Sequence, residues 1–170
     1  VVHRLDRDTS GVLMVAKNEQ MKYALQDHWD ELVTYRGYIA IVEGKVVKPQ
    51  GQIVSWLKET KTHLVYSGEK AGDGQKAITN YKVIKSTSKY SMLEINLETG
   101  RKNQIRVHMK DLGHPIAGDK KYGAATNPLK RLGLHAHKLE FIHPFTKELM
   151  LFEASMPRKF RALVSPNYQD

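Results

Sequence analysis

The sequence predicts an α+β domain, and three observations carry that reading. Apolar runs of strand length, bounded by Gly, Asp, Asn and Pro, recur along the chain; two of them are separated by a short polar stretch as in a hairpin; and other segments place apolar residues at helical spacing. With 170 residues and 41% hydrophobic content, residues 1–170 read as one domain with a real core. No apolar run approaches the roughly 20 residues that span a bilayer, and no basic stretch followed by an apolar one resembles a signal peptide. The absence of cysteine excludes disulfides and thiolate metal sites and agrees with a reducing, cytoplasmic location.

The opening stretch, Val1-Val2-His3-Arg4-Leu5-Asp6-Arg7-Asp8-Thr9-Ser10-Gly11, sets two carboxylates beside two arginines. Asp8 to Gly11 is a turn signal feeding an expected strand over Val12 to Ala16. In an extended loop Leu5 anchors inward while Arg4 and Asp6 project together, and a projecting Asp beside Arg stays ionised. The same residues also read as a turn in which Asp8, Thr9 and Ser10 bond their own backbone, with Asp6 and Arg7 a surface ion pair.

Asn18 is placed to cap a helix over Glu19 to Gln26, with Met21, Ala24, Leu25 and Trp29 on one face. Thr34 to Gly44 reads as a buried strand with Tyr38, Ala40 and Val42 on one side and Ile39 and Ile41 on the other. Short strands are expected over Gln52 to Leu57 and Thr62 to Tyr66, then a loop from Ser67 to Gly74, then a hairpin of Ala77 to Ile84 with Tyr90 to Leu97. Thr99 or Gly100 is read as the cap of a helix that stops at Gly113, its face formed by Ile105, His108, Met109 and Leu112. Arg101 and Lys102 beside its free N–H groups suit a phosphate. Strands follow over Leu132 to Ile142 and Leu149 to Ala154, and a terminal helix over Met156 to Leu163, with Pro157 near its start.

Charge is unevenly placed. Of the net +9, the segment Arg101 to Lys138 carries nine basic residues against Asp111 and Asp119, which favours one electropositive face and a polyanionic partner. His135 and His137 share a strand face, but without Cys or a His-Glu helix motif no metal site is expected.

His3-Arg4-Leu5-Asp6-Arg7-Asp8-Thr9-Ser10-Gly11 resembles the active-site signature of the RluA-type pseudouridine synthases. Two further stretches resemble that family in the same order. Gly-Arg-x-x-Gln-Ile-Arg-Val-His, residues 100–108, is followed by Gly113 to Gly123. Leu-His-Ala-x-x-Leu-x-Phe-x-His-Pro covers residues 134–144. Arg36, Tyr38 and Ala40 match its basic-x-Tyr-x-Ala pattern. The chain departs from the family where Lys102-Asn103 replaces the usual Thr-His.

The resemblance implies a mixed, largely antiparallel sheet flanked by helices, and an enzyme that isomerises uridine to pseudouridine in ribosomal or transfer RNA without cofactor or metal. It makes Asp6 the catalytic carboxylate, Arg106 its ionic partner and Tyr38 a stacking platform for the target base. Ile105 and Leu134 would add apolar walls and Arg4 would fill the gap left by a flipped base. Arg101, Lys102, Lys120 and Lys121 are the expected phosphate contacts. Without the resemblance Tyr38 reads rather as plain core and Arg106 rather as an exposed helical arginine. Two other functions fit the residues: a glycosidase or nucleosidase pairing Asp6 with Asp8, and a non-catalytic RNA-binding module. Because family members carry an earlier part of the catalytic domain, the chain is expected to lack N-terminal sheet strands and to be weak in isolation.

Overall fold

In the computed structural model, residues 1–169 are described. They form an eight-stranded sheet carrying helices on its faces. The elements are β1 (Ser10–Gly11), α1 (Glu19–Asp27), α2 (Trp29–Leu32), β2 (Val33–Glu43), β3 (Gln50–Glu59), β4 (Val65–Gly68), β5 (Gln75–Ser86), β6 (Tyr90–Leu97), α3 (Gln104–Asp111), β7 (Leu134–Ile142), β8 (Leu149–Glu153) and α4 (Arg158–Leu163), with a single 3₁₀ turn at Lys120–Tyr122. Strand order is β1-β7-β2-β6-β5-β3-β4, with β8 also on β7. All pairings are antiparallel except β1 with β7. The α+β class and the mixed, largely antiparallel sheet are as expected.

The two faces of β2 hold the core apart as the alternation of its side chains requires. Ala40 and Val42, with Tyr38 packed alongside, join Leu93, Ile95, Ile105, Met109 and Leu134 beneath α3. Ile39 and Ile41 join Phe160, Leu163 and Val164 beneath α4. A third cluster closes α1 and α2 over Val33, Leu139 and Phe141, and Val2 is inserted into it. Asn18 caps α1 by accepting from the Met21 N–H at 2.8 Å.

Several local expectations shift. Only Ser10–Gly11 of the opening run pairs with β7, because the Met14 N–H donates to His3 Nε2 at 2.9 Å instead of to a ladder partner. Val12 to Ala16 is therefore not a strand. Gly11 is required here: its φ is +118° and a Cβ would lie 2.1 Å from the Ala136 carbonyl oxygen. The strand expected over Thr62 to Tyr66 begins only at Val65, since His63 has φ 65° in a turn. The helix expected from Thr99 or Gly100 starts at Gln104, because Thr99 Oγ1 and the Arg101 N–H both donate to the Gln104 side-chain oxygen and hold the chain in a loop. The terminal helix begins at Arg158, just after Pro157.

A continuous buried hydrogen-bonded chain fixes α3 to the sheet. Gln104 Nε2 donates to Thr79 Oγ1 at 2.9 Å, and that hydroxyl donates to His108 Nδ1 at 2.6 Å. His108 Nε2 then donates to Ser55 Oγ at 2.8 Å, Ser55 bonds Ser67, and Ser67 donates to the Asp111 carboxylate. Each donor in that order has one acceptor, which requires a neutral His108. Burial lowers its pKa to about 4, against a weaker opposing effect of Asp111.

Candidate active site

The site forms where the opening loop, the start of α3 and the segment before β7 meet. A turn closed by the Thr9 N–H on the Asp6 carbonyl at 3.0 Å places Asp8 in the left-handed region, φ 69°, which Asp tolerates better than most residues. The turn is thus Asp6 to Thr9, two residues earlier than the sequence suggested. Val2, not Leu5, is the deeply buried anchor; Leu5 is half-buried and lines the cleft. Arg131 pins the far side of this turn, donating to the Asp8 carbonyl at 3.3 Å and to Ser10 Oγ at 2.9 Å. Ser10 in turn bonds His135 Nδ1 at 2.7 Å, whose Nε2 donates to the Ala154 carbonyl. His135 and His137 both spend a ring nitrogen on that carbonyl.

Asp6 opens into a cleft of about 1330 Å³ whose lining includes Arg4, Arg36, Tyr38, Ile105, Arg106 and Leu134. Ile105 and Leu134 are buried, 3% and 1% exposed, and form its apolar floor. Burial raises the pKa of Asp6 above its ordinary value. The positive charge of Arg106, a hydrogen bond from the Asn103 backbone N–H and the charge of Lys102 offset only part of this, and Asp119 adds to it. Desolvation outweighs the arginine, so the pKa of Asp6 lies above its ordinary value rather than below it.

The expected Asp6–Arg106 ion pair is corrected. Arg106 engages Asp119 with both prongs, Nε to Oδ2 at 2.9 Å and Nη2 to Oδ1 at 2.8 Å, and reaches Asn103 Oδ1 at 3.4 Å. The side-on Nε/Nη2 edge of the guanidinium is thus given to Asp119, and the bidentate partner of Arg106 is Asp119 rather than Asp6. Burial works against the charge of Arg106, but the hydrogen bonds and charge of Asp119, then the charges of Asp6 and Tyr122, raise its pKa. Arg106 acts on Asp6 through space.

Tyr38 lies beside them, its hydroxyl pKa pushed up to about 12 by burial and by the Asp6 charge, against a smaller opposing pull from Arg36. It is placed by an irregularity: β2 and β7 slip register between Gly37 and Tyr38, leaving His137 of β7 as the extra residue. His3 stacks on Trp29 at 4.9 Å, and burial, then the charge of Arg36, lowers its pKa.

The first 111 residues match a family model described as RNA pseudouridylate synthase. The chain belongs to that family. An uncharacterized RNA pseudouridine synthase, YhcT, of Bacillus subtilis is 41% identical over 95% of the chain and 54% of its own length. A ribosomal large subunit pseudouridine synthase D of Nitrosomonas europaea is 36% identical over 96% of the chain and 50% of its own length. The human RNA pseudouridylate synthase domain containing 1 has a similar structure, with TM-score 0.77, 26% identity, and coverage of 92% of this chain and 68% of that one. The chain spans about half the length of the curated relatives it matches.

Within this family member, the cleft gathers Asp6, Tyr38, Arg106, Arg4, Ile105, Leu134, Arg101, Lys102, Lys120 and Lys121. Besides Arg106, three of those cations are already engaged. Lys102 Nζ lies 2.6 Å from Glu59, Lys121 Nζ donates to the His63 carbonyl at 2.9 Å, and Arg101 Nε donates to the Lys76 carbonyl at 3.1 Å. Sequence reasoning missed Asp119, Asn103 and Tyr122 as a supporting set. Asn103 has φ 55°, and its amide donates to the Tyr122 hydroxyl at 2.9 Å. The signal for Asp119 was present: it is one of only two acids in the basic segment.

Proposed function

We propose that the protein isomerises uridine in RNA to pseudouridine, with Asp6 as the catalytic carboxylate. The observation that carries this is the placing of Asp6 in a basic, apolar-floored cleft beside Tyr38 and Arg106. In the reaction, the bond between the sugar and the base nitrogen breaks and a bond from the sugar to a ring carbon forms. The proton lost from that carbon is balanced by one gained at the nitrogen. Nothing is oxidised, so a positioned carboxylate acting as nucleophile or base suffices, and the reading requires no cofactor or metal.

Each neighbour has a part. Tyr38 presents an aromatic face to the extruded base, and Ile105 and Leu134 exclude water beneath it. Arg106, held by Asp119, supplies a fixed positive charge that favours the ionised form of Asp6. Extrusion from a helix costs a few kcal/mol, offset by contacts within the pocket, and Arg4 at the mouth takes the vacated place. The names of the relatives favour ribosomal RNA over transfer RNA as substrate, and both belong to the cytoplasm.

The test is incubation of the full-length protein with uridine-containing RNA, followed by digestion and chromatography of nucleosides. A product of unchanged mass and altered retention, abolished by Asp6→Asn, is expected. Free uracil would instead indicate hydrolysis, and unaltered RNA would reduce the protein to a binding module.

A further inference from the structure

Among the ten basic residues lining the cleft, six are committed within the protein. Arg36 donates to the Glu98 carbonyl, Arg101 to the Lys76 carbonyl, Lys102 to Glu59, Arg106 to Asp119, Lys121 to the His63 carbonyl, and Arg131 to the Asp8 and Leu134 carbonyls. Among the described residues, the side chains of Arg4, Arg7, Lys120 and Lys130 make no hydrogen bond or ion pair.

Three of these four fall on one rim. Arg131 ties the Asp8 carbonyl, next to Arg7, to the segment that carries Lys130. Gly118 packs so closely on the Arg131 carbonyl oxygen that a Cβ there would approach it to 2.3 Å, which brings Lys120 to the same segment. All three side chains are exposed, and Lys130 is held at φ 57°, a conformation a lysine adopts only where the surrounding chain imposes it. The cations around Lys102 differ in occupancy, and a carboxylate lies among them. Hydrogen bonds from Lys102 and His63 lower the pKa of Glu59, and a phosphate approaching Lys102 meets that carboxylate 2.6 Å from the ammonium.

We propose that Arg7, Lys120 and Lys130 form the phosphate track of the cleft, holding the backbone that flanks the target nucleotide, while Lys102 and Lys121 belong to the scaffold. The proposal rests on the pseudouridine synthase reading for its ligand and narrows the basic segment to one rim. RNA backbone is favoured over an acidic polypeptide because the track borders the Asp6 cleft and phosphates there place a base beside Tyr38. Arg4 is left for the vacated base position.

The test compares two variants of the full-length protein in binding a labelled uridine-containing single-stranded RNA over a salt series. One is Arg7→Gln, Lys120→Gln, Lys130→Asn, with Asn chosen because it tolerates positive φ. The other is Lys102→Ala with Lys121→Ala. Each phosphate contact contributes about 0.7 to the log–log slope on single strands, so the triple variant should lose about 2 of slope. The double variant should keep it. Lys120→Gln alone, which disturbs neither the turn nor the strained position, should lose about one third of that amount, which separates lost contacts from lost folding. An unchanged slope in the triple variant, an equal loss in the double variant, or equally tight binding of a polyaspartate peptide would overturn the track. A wild-type protein that forms no pseudouridine would refute the catalytic reading instead, and the slopes would still decide where phosphates bind.

Discussion

Replacing Asp119 by Asn tests the support beneath the site. The Arg106 and Asp119 side chains are 13% and 1% exposed, and two charge-assisted hydrogen bonds join them. Such bonds contribute about 1.5–3 kcal/mol each, and removing one partner of a buried pair costs about 3–5 kcal/mol because the other charge is stranded. Asn keeps one acceptor oxygen, and Asn103 Oδ1 still reaches Arg106, so the lower end, about 3 kcal/mol, is expected. Urea unfolding should show a lower midpoint with an unchanged slope. In an Arg106→Met background the same change should cost at least about 1 kcal/mol less, since the two side chains act as one unit. The freed guanidinium also loses its aim at Asp6, so turnover should fall at least about tenfold, equivalent to about 1.4 kcal/mol. A loss of stability below about 1 kcal/mol, or strict additivity with Arg106→Met, would show that the pair is not the anchor of the arginine.

Asp6→Asn should reduce turnover by several orders of magnitude while leaving RNA affinity nearly intact. It should also raise the thermal midpoint at neutral pH: an acid whose folded pKa is raised favours folding only while protonated, and that contribution is lost as pH rises through the folded pKa. Asp8→Asn should retain measurable turnover, because Asn accepts the positive φ and the Arg131 bond is to the Asp8 carbonyl; abolished turnover would make Asp8 a catalytic candidate. His108 contributes in the opposite sense to Asp6. With its pKa lowered to about 4 from 6.5, stability present above the ordinary value should be lost as pH falls through that window, about 3 kcal/mol in all. The difference in unfolding free energy between wild type and His108→Gln should shrink accordingly, and a pH-independent difference would contradict the neutral buried imidazole. Thr9→Val should be stabilising by about 1 kcal/mol in urea unfolding, since Thr9 Oγ1 is a buried hydroxyl without a partner among the described residues.

The sequence was most informative where one local pattern decides the structure. The two faces of β2, the Asn18 cap, the hairpin of β5 and β6, and the β7–β8 pair all follow from period and turn chemistry. It was least informative where a distant group takes a backbone donor. Nothing in Val12 to Ala16 shows that His3 will claim the Met14 N–H, and nothing before Gln104 shows that its own side chain will hold Thr99 and Arg101 out of the helix. The gathering of Asp6, Tyr38 and Arg106 was legible from the motifs, since their order and spacing carry it. The partner of Arg106 was not, because Asp6 and Asp119 are both carboxylates near it and only the tertiary placement of the Ile116–Asp119 turn decides between them.

That choice of partner bears on how the carboxylate is tuned. Had Arg106 closed on Asp6, a bidentate pair would have depressed its pKa and occupied both oxygens, making it a weak base and a blocked nucleophile. With the fork on Asp119, Asp6 keeps the arginine's field but not its hydrogen bonds, and burial leaves its pKa raised. The hydrogen bond it does receive comes from the backbone of Asn103, whose φ of 55° is steadied by the Tyr122 hydroxyl on its amide and by Arg106 on its oxygen. Asn at this position, where the family usually carries His, is compatible with that left-handed conformation. A donor fixed in this way steadies the carboxylate where it lines the cleft. For the proposed catalytic role a carboxylate gains basicity as its pKa rises, and Asp6 is drawn that way by burial, while Arg106, kept on Asp119, draws it back through its charge alone.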